Sequence, residues 1–338
     1  MEHGIGEIRA ALIAGEHILE ARILPDGELI AGTILRARLI ARMPERGQGV
    51  VAWDGGEALV APLPAGVTQG AETLVEIRRP AISEPGKPKR ALARPAPAGT
   101  TLPVRAEPVE ARARDTHFDR LSANGIEGIE GARILRPTDP DLVEAAGWSE
   151  LLEQAATGAV AFPGGALSLH LTPAMALIDV DGTLNPTVLS VAAAREAART
   201  IRRLDISGSI GIDLPGTDKA ARNAAAEAID AELPQPFERT AVNGFGFVQI
   251  VRPRRRRSLP EIYAMEAPLA HARALIRRAE RTGGAGERTI TAHPSVVIEI
   301  ERRPAWSEDL ARRIGAAVVL RADPALAISS GHVQARYA

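Results

Sequence analysis

Apolar and polar positions alternate in short runs over the N-terminal quarter of the chain. The runs at 7–14 and 16–23 meet at Gly15, and Pro25-Asp26-Gly27 is a turn sequence, so we expect β-hairpins here. Four further runs are expected to form strands, at 33–41, 49–53, 58–61 and 74–78. Short strands at this spacing favour a small barrel.

In the centre of the chain, strand patterns alternate with helical ones. A buried-looking strand is expected at 174–180, then a helix capped by Thr187, then a second strand at 209–214. The apolar face of that helix is predicted to comprise Val188, Val191, Ala194, Ala198 and Ile201. Because a crossover helix usually joins parallel neighbours, these segments predict a βαβ unit. Strands are also expected at 166–171 and 245–251, and helices at 115–123, 140–156 and 218–233.

The C-terminal part of the chain continues the alternation on a smaller scale. We expect a helix at 271–281, a strand at 296–301, a helix at 307–314 and a strand at 317–322. The chain is therefore predicted to be α/β, or α+β overall, with a β-rich N-terminal region and a small C-terminal α/β domain.

Composition excludes several classes of site. The 338 residues include no cysteine, which excludes disulfides, thiolate zinc sites and a cysteine nucleophile. No apolar run is long enough to span a membrane, and the opening Met1-Glu2-His3-Gly4 lacks the order of a secretory signal. We therefore expect a cytoplasmic protein without a membrane partner.

The charge pattern is local rather than global. Net charge is −1, and lysine occurs only at positions 87, 89 and 219, so nearly all basic residues are arginines. A genome rich in G and C explains that bias, yet the planar guanidinium also suits phosphate wherever arginines cluster. Such a cluster, at 252–257, follows the strand predicted at 245–251, and it is either a solvated run or a phosphate-binding segment.

Two aspartates end the two strands of the predicted βαβ unit. Asp179 lies at the end of the first strand and Asp213 at the end of the second. Neighbouring strands lie about 4.8 Å apart, so the two carboxylates should lie side by side. They repel each other unless a cation lies between them, and Mg²⁺ prefers such oxygen ligands. The alternative is that each aspartate caps the helix that follows its strand.

The segment 177–184, Leu-Ile-Asp-Val-Asp-Gly-Thr-Leu, resembles the first motif of haloacid-dehalogenase-type phosphatases. That resemblance implies a nucleophile at Asp179 and a general acid at Asp181. The motif normally begins its domain, whereas here it lies past the middle of the chain. No Gly-Asp-x-x-x-Asp motif follows it, and Lys219 is the only lysine after it. A phosphatase is therefore a rival hypothesis.

The stretch from Asp179 to Arg252 resembles the catalytic segment of the ribonuclease E/G family. Residues 176–181 are similar to the family's Thr-x-Ile-Asp-Val-Asn strand, 199–208 to its helix into Gly-Gly, and 209–213 to its Ile-Val-Ile-Asp strand. Phe245-Gly246 is similar to its Arg-Phe-Gly-Leu-x-Glu stretch, and 49–62 to its RNA-binding barrel. The resemblance is collinear over most of the chain.

The resemblance implies a division into five parts. Residues 1–32 would be a hairpin region packed with the central region, and 33–94 an OB-type RNA-binding barrel. Residues 95–165 would be a linker with a reduced ribonuclease-H-like sensor region. The catalytic domain, of deoxyribonuclease-I-like type, would span 166–260, and a small α/β domain 261–338.

The resemblance also implies an activity. The chain would be a magnesium-dependent endoribonuclease, with Mn²⁺ able to substitute and no zinc, whose catalytic and metal-binding aspartates are Asp179 and Asp213. Asp181 replaces a family asparagine and is a third candidate ligand. The partner would be RNA, and a homodimer that zinc does not link stays open. The residues implied in RNA binding are Trp53, Lys87, Lys89, Arg90, Arg252, Arg254, Arg255 and Arg256.

The chain departs from the family pattern at several positions. Gly216 replaces an acidic residue, Gly244 replaces the arginine before Phe-Gly, and the zinc-linker cysteines are missing. These departures keep a second hypothesis open, an RNA-binding protein with a decayed active site.

Overall fold

The computed structural model of the chain describes residues 1–82, 89–100, 132–216 and 218–337. The chain divides into two compact units. We call one the sheet unit, formed by Met1–Asp26, Ala132–Arg252 and Ser258–Ala338. The other is the barrel unit, formed by Gly27–Gly131 and Pro253–Arg257. The helix expected at 115–123 lies outside the described residues.

The sequence predicts a small barrel in this region, and the barrel unit contains a closed barrel of five strands. Its order is β4-β5-β6-β8-β7, and every neighbouring pair is antiparallel except β6 and β8. Closure buries alternate apolar side chains, including Leu39, Val51 and Ile77. The strands are β4 (Ile34–Met43), β5 (Gln48–Trp53), β6 (Gly56–Val60), β7 (Glu72–Arg79) and β8 (Ala91–Pro95), with a 3₁₀ turn at Pro44–Arg46.

The sheet unit begins with three antiparallel strands in the order β1-β2-β3. Ile18, Ala21 and Ile23 of β3 are buried in the same hydrophobic core as the central strands described below. This core fixes the hairpin of β2 and β3 to the rest of the unit. The three strands are β1 (Glu2–His3), β2 (Glu7–Ala14) and β3 (His17–Pro25).

Six strands form the central sheet, in the order β13-β14-β12-β11-β10-β9. β11 and β12 pair in parallel and the other neighbours are antiparallel, so the predicted βαβ unit is present within a mixed sheet. The strands are β9 (Ala159–Phe162), β10 (Gly165–Leu171), β11 (Ala176–Gly182), β12 (Gly208–Asp213), β13 (Glu238–Arg239) and β14 (Phe247–Arg252).

Four helices accompany the central sheet. α3 carries small buried residues, Ala193 and Ala197 among them, which share a core with Ile178 and Ile212 and so cover one face of the sheet. The expected helix at 140–156 is two helices, because Gly147 adopts a left-handed φ of 93° between them. The helices are α1 (Leu142–Ala145), α2 (Trp148–Thr157), α3 (Pro186–Arg203) and α4 (Lys219–Glu232).

The start of α3 differs in detail from the expectation. Asn185, not Thr187, is its N-cap, because the Asn185 side chain accepts a hydrogen bond from the Thr187 backbone N–H. Proline occupies the first turn, where its missing N–H costs nothing. Of the expected apolar face, Ala194, Ala198 and Ile201 are buried, whereas Val188 is 56% exposed and Leu189 takes its place at the start of the buried face.

The C-terminal part of the sheet unit is a three-stranded sheet, in the order β16-β15-β17, with helices. The strand expected at 296–301 is wrong, because the segment is helical and buries Val296, Val297 and Ile300 at helical spacing. The sequence also failed to predict β15 and β17. The elements are α5 (Leu259–Met265), α6 (Ala267–Arg281), β15 (Ala285–Ala292), α7 (Pro294–Glu301), α8 (Pro304–Ile314), β16 (Val318–Ala322) and β17 (His332–Tyr337).

A buried ion network ties β1 to α6. The Glu2 carboxylate accepts hydrogen bonds from Arg277 Nε at 2.7 Å and from Arg281 Nη2 at 2.7 Å, and it lies 3.5 Å from Arg9 Nη1. Arg9 is also paired with Glu7, and Arg277 with Asp141 and the exposed Glu144, so three guanidinium groups face four carboxylates. Such a network of opposite charges compensates groups that would be costly to bury alone.

No helix among the described residues is long and apolar enough to cross a membrane.

Candidate functional site

One face of the central sheet carries the aspartates that the sequence singles out. Ala176 and Ile178 of β11 are buried beneath α3, whereas Asp179 and Asp181 are exposed. Because side chains alternate between the two faces of a strand, both aspartates point away from the helices. Asp213 of β12 is exposed in the same way. We call this side of the sheet the open face.

Asp179 and Asp213 are directly paired across the parallel strands β11 and β12. Neighbouring strands lie about 4.8 Å apart, and residues paired in parallel register share a face. β12 ends at Asp213, so both carboxylates lie at the carboxyl edge of the pair. The side-by-side arrangement expected from the βαβ pattern is therefore present.

A single row of side chains crosses the open face at this level. It runs from Ala159 on β9 through Ser168 on β10, Asp179 and Asp213 to Phe247 on β14. Within the described part of the chain, neither aspartate forms a hydrogen bond or ion pair through its side chain. Two adjacent carboxylates that no protein cation neutralises repel each other, and they can bind a cation without breaking an existing contact.

Asp181 lies farther along β11 and outside this row. It is paired with Ala166 of β10, and β12 has already ended, so no strand carboxylate faces it from that side. It is two residues from Asp179, roughly 7 Å along the strand. Among the described residues, no group of three or more histidine, cysteine, aspartate or glutamate side chains is placed to hold a metal ion. The site is a pair of carboxylates.

Gly211 leaves room for an aromatic ring beside the pair. A Cβ at this position would lie 2.5 Å from Cζ of Phe247. The Phe247 ring therefore lies over Gly211. It is next to Asp213, the cross-strand partner of Phe247. A side chain larger than hydrogen at position 211 would displace this ring.

A tight loop between β13 and β14 borders the same strand end. Leu214, the residue after Asp213, donates its backbone N–H to the Gly246 carbonyl oxygen at 3.3 Å. Phe245 lies in this loop and is 88% exposed. The sequence pattern placed Phe245 at the start of a strand and indicated no role for its side chain, although an aromatic flanked by two glycines fits no buried periodicity, which is the signal that could have found it.

The basic run at 252–257 is divided between the two units. Arg252 ends β14 in the sheet unit, and its Nη1 donates to the Ile206 carbonyl oxygen at 2.7 Å, so it serves the fold. Pro253–Arg257 belongs to the barrel unit, where the Arg255 carbonyl oxygen accepts from the Ala31 N–H and Arg257 pairs with Glu28. The Arg255 side chain is exposed and forms no hydrogen bond or ion pair within the described chain.

The other predicted RNA-binding residues belong to the barrel unit. Lys89 is exposed and pairs through its backbone with Ile82. Arg90 is exposed and pairs with Glu57. Trp53 is half-buried and packs against the barrel core, so its ring is partly engaged inside the protein. Lys87 lies outside the described residues.

No protein-family model matches the chain, and no curated protein matches it. The case for a function therefore depends on the residues of the open face and on the resemblance in sequence.

Proposed function

We propose that the chain is a magnesium-dependent endoribonuclease of the ribonuclease E/G type that acts on single-stranded RNA. The observation that carries the proposal is the direct pairing of Asp179 with Asp213 at the carboxyl edge of two parallel strands. The same two residues match the metal-binding aspartates implied by the resemblance in sequence. The strand pattern and the family motif thus indicate the same pair of aspartates.

The residues present fit a hard divalent cation. Mg²⁺ is commonly bound by one or two carboxylates and keeps several waters and substrate oxygens as further ligands, so a pair is sufficient. Asp179 and Asp213 are exposed and unpaired within the described chain, so binding would relieve their mutual repulsion. A cation held there supplies charge stabilisation at a phosphoryl oxygen and makes water more acidic.

The chain's own residues would then position the RNA. The pair lies on an exposed strand face, which can accept a phosphate within a long polymer. Ser168 and Phe247 flank the pair in the same row and supply a hydroxyl and an aromatic edge on either side of it. By resemblance, the products would carry a 5′-phosphate and a 3′-hydroxyl.

The barrel supports a nucleic-acid substrate. Its strand order, with the third strand parallel to the fifth, supports the proposal that the barrel is of OB type. Barrels of this kind bind oligonucleotides on the face of their second and third strands and on adjacent loops. Lys89 and Arg90 immediately precede β8, the fifth strand. In OB-type barrels, the loop that leads into the fifth strand is one of those that bind oligonucleotides.

One experiment distinguishes the proposed nuclease from two other functions, an RNA-binding protein with a decayed active site and a phosphatase. A labelled single-stranded RNA and a generic phosphomonoester are each incubated with the protein, with and without Mg²⁺. The proposed enzyme cleaves the RNA only with Mg²⁺ and leaves the phosphomonoester intact. A protein with a decayed site, which Gly216 and Gly244 favour, binds the RNA without cutting it. A phosphatase hydrolyses the phosphomonoester.

Asp181→Asn distinguishes the nuclease from the phosphatase at the level of a residue. We expect it to retain much of the RNA cleavage, with a loss below about tenfold, or about 1.4 kcal/mol of transition-state stabilisation. The reason is that Asp181 lies outside the Asp179–Asp213 row and replaces a family asparagine. The measurement is kcat/KM on single-stranded RNA. A defect as deep as that of Asp179→Asn would contradict the assignment.

Arg254, Arg255 and Arg256 are expected to contribute phosphate contacts. Each contact with single-stranded RNA adds about 0.7 to the slope of log affinity against log salt. Replacing all three by alanine should therefore reduce that slope by up to about 2, and Arg255→Ala alone by about 0.7. The loss should be similar for different RNA sequences, because phosphate contacts carry no base information.

The matched control for this series is Arg321→Ala, which removes an exposed arginine of β16 in the sheet unit. We expect its salt slope to equal that of the parent. If the folded triple variant also keeps the parent's slope, Arg254, Arg255 and Arg256 make no phosphate contact.

A further inference from the structure

Phe245 is the most exposed of the large apolar side chains in the described chain, at 88%. Single exposed apolar residues are common and usually need no explanation. Phe245 differs because a whole aromatic ring is presented to solvent on a fixed loop beside the carboxylate pair. Two features of this loop support a role in binding: the contacts that hold it in place and its distance from the aspartate pair.

The loop is held by one side chain and one glycine. Asn243 Oδ1 accepts hydrogen bonds from the backbone N–H of Phe245 at 2.9 Å and of Phe247 at 3.1 Å. Gly246 has a φ of 94°, and a Cβ on it would lie 2.0 Å from the Leu214 carbonyl oxygen. Only glycine fits there, so the backbone that carries Phe245 is packed against the residue that follows Asp213.

Phe245 is close to the aspartate pair along the backbone. Phe247 is the cross-strand partner of Asp213, and Phe245 precedes Phe247 by two residues. Two residues span at most about 7 Å, and paired antiparallel residues lie about 5 Å apart. The Phe245 backbone is thus within roughly 12 Å of Asp213, a span of a few stacked nucleotides at about 3.4 Å each.

We propose that Phe245 is a stacking platform for an unpaired nucleobase next to the phosphate that a cation at Asp179 and Asp213 would hold. The inference rests on the proposed nuclease function and specifies its substrate. A base can lay its face on the ring only when it is not stacked inside a duplex, so the platform selects single-stranded RNA at the cleavage position. Stacking tolerates every base, because each has a π-face.

Stacking on Phe245 would also increase the affinity for RNA, because the open face carries little positive charge. The row through the pair contains an alanine, a serine, two aspartates and a phenylalanine, and no basic residue. Phosphate contacts must therefore come from other residues, and an uncharged aromatic contact would fix the register of the strand at the pair. Base stacking provides such a contact without a cation.

The test compares Phe245→Ala, Phe245→Trp and the control Tyr337→Ala, which removes another exposed aromatic, 61% exposed, from β17. Each folded variant is assayed with Mg²⁺ on a short single-stranded RNA and on a series in which one position at a time is abasic. We expect Phe245→Ala to lower kcat/KM by about 5- to 100-fold on the intact RNA. Phe245→Trp and Tyr337→Ala should remain near the parent.

The abasic series isolates stacking from any effect on folding. One abasic position near the cut should lower the parent's kcat/KM by a similar factor, and it should cause no further loss in Phe245→Ala. If the abasic penalty is equal in parent and variant, or if Phe245→Ala behaves as the parent, the platform is refuted while the nuclease function stands. If the parent cleaves no RNA, the proposed function fails and the platform with it.

Discussion

Replacing Asp213 by asparagine is expected to remove magnesium-dependent RNA cleavage while leaving the fold intact. Asparagine keeps the shape of the side chain but removes one of the two negative charges that would hold the cation. Because the cation supplies several kcal/mol of charge stabilisation in the transition state, kcat/KM should fall by about 100-fold or more. Asp213 is exposed and forms no ion pair within the described chain, so its loss should cost little stability.

The matched control is Glu238→Gln, which removes an exposed carboxylate from β13 of the same sheet, two strands away from Asp213. We expect this variant to cleave RNA as the parent does. A folded Asp213→Asn variant that also cleaves RNA at the parent's rate would show that the pair does not carry the reaction.

Glu2→Gln is expected to be the most destabilising conservative change in the sheet unit. Glu2 is buried and contacts Arg9, Arg277 and Arg281, so the amide would leave these guanidinium groups short of one negative charge. Breaking a buried ion pair from one side typically costs about 3 to 5 kcal/mol. Urea denaturation followed by circular dichroism measures the change in the free energy of unfolding.

The loss of stability caused by Glu2→Gln should depend on pH. Burial alone would raise the pKa of Glu2, but the hydrogen bonds and charges of Arg277, together with Arg9 and Arg281, outweigh it and lower the pKa below 4.5. A carboxylate with a lowered pKa stabilises the fold at pH values above its unfolded pKa, and this contribution is lost as pH falls through the folded pKa. The difference between parent and Glu2→Gln should therefore shrink in acid.

Asp309→Asn is the control for this prediction, because it breaks an ion pair with Arg312 whose two side chains are exposed on α8. Exposed pairs contribute about 1 kcal/mol or less. A loss from Glu2→Gln no larger than that of Asp309→Asn would mean that the buried network does not hold β1 to α6.

The pairing of Asp179 with Asp213 could be predicted because it depends on local patterns alone. Two apolar strands with an amphipathic helix between them leave few arrangements, and parallel neighbours bring equivalent strand ends together. The barrel was predictable for the same reason, since its turn residues and its alternation are local. The antiparallel position of β10 beside β11 was not, because register between distant segments is set by packing.

The C-terminal segments show where a composition-based prediction fails. Residues 296–301 are rich in β-branched residues and suggest a strand, yet they form α7. The deciding signal is upstream: the His293 side chain accepts from the Ser295 N–H as an N-cap, and Pro294 is preorganised for the first turn. Burial of Val296, Val297 and Ile300 on one helical face then overrides strand propensity.

The site itself was predictable only in part. The sequence indicated the aspartates, but not that Pro253–Arg257 groups with the barrel unit while Arg252 stays with the sheet unit. That division depends on backbone contacts such as Ala31 N–H to the Arg255 carbonyl, which leave no pattern in the sequence. Phe245 was expected to begin a strand, and its exposure could not be predicted because it follows from the path of the loop around Gly246.

The most direct test of the carboxylate pair is a crystal soaked in Mn²⁺, in which anomalous scattering locates the ion independently of activity. The predicted result is one strong anomalous peak within ligand distance of carboxylate oxygens of both Asp179 and Asp213, absent from a crystal of Asp213→Asn soaked in the same way. A parent crystal with no peak at this pair, or with Mn²⁺ bound only at other residues, would contradict the proposed metal site.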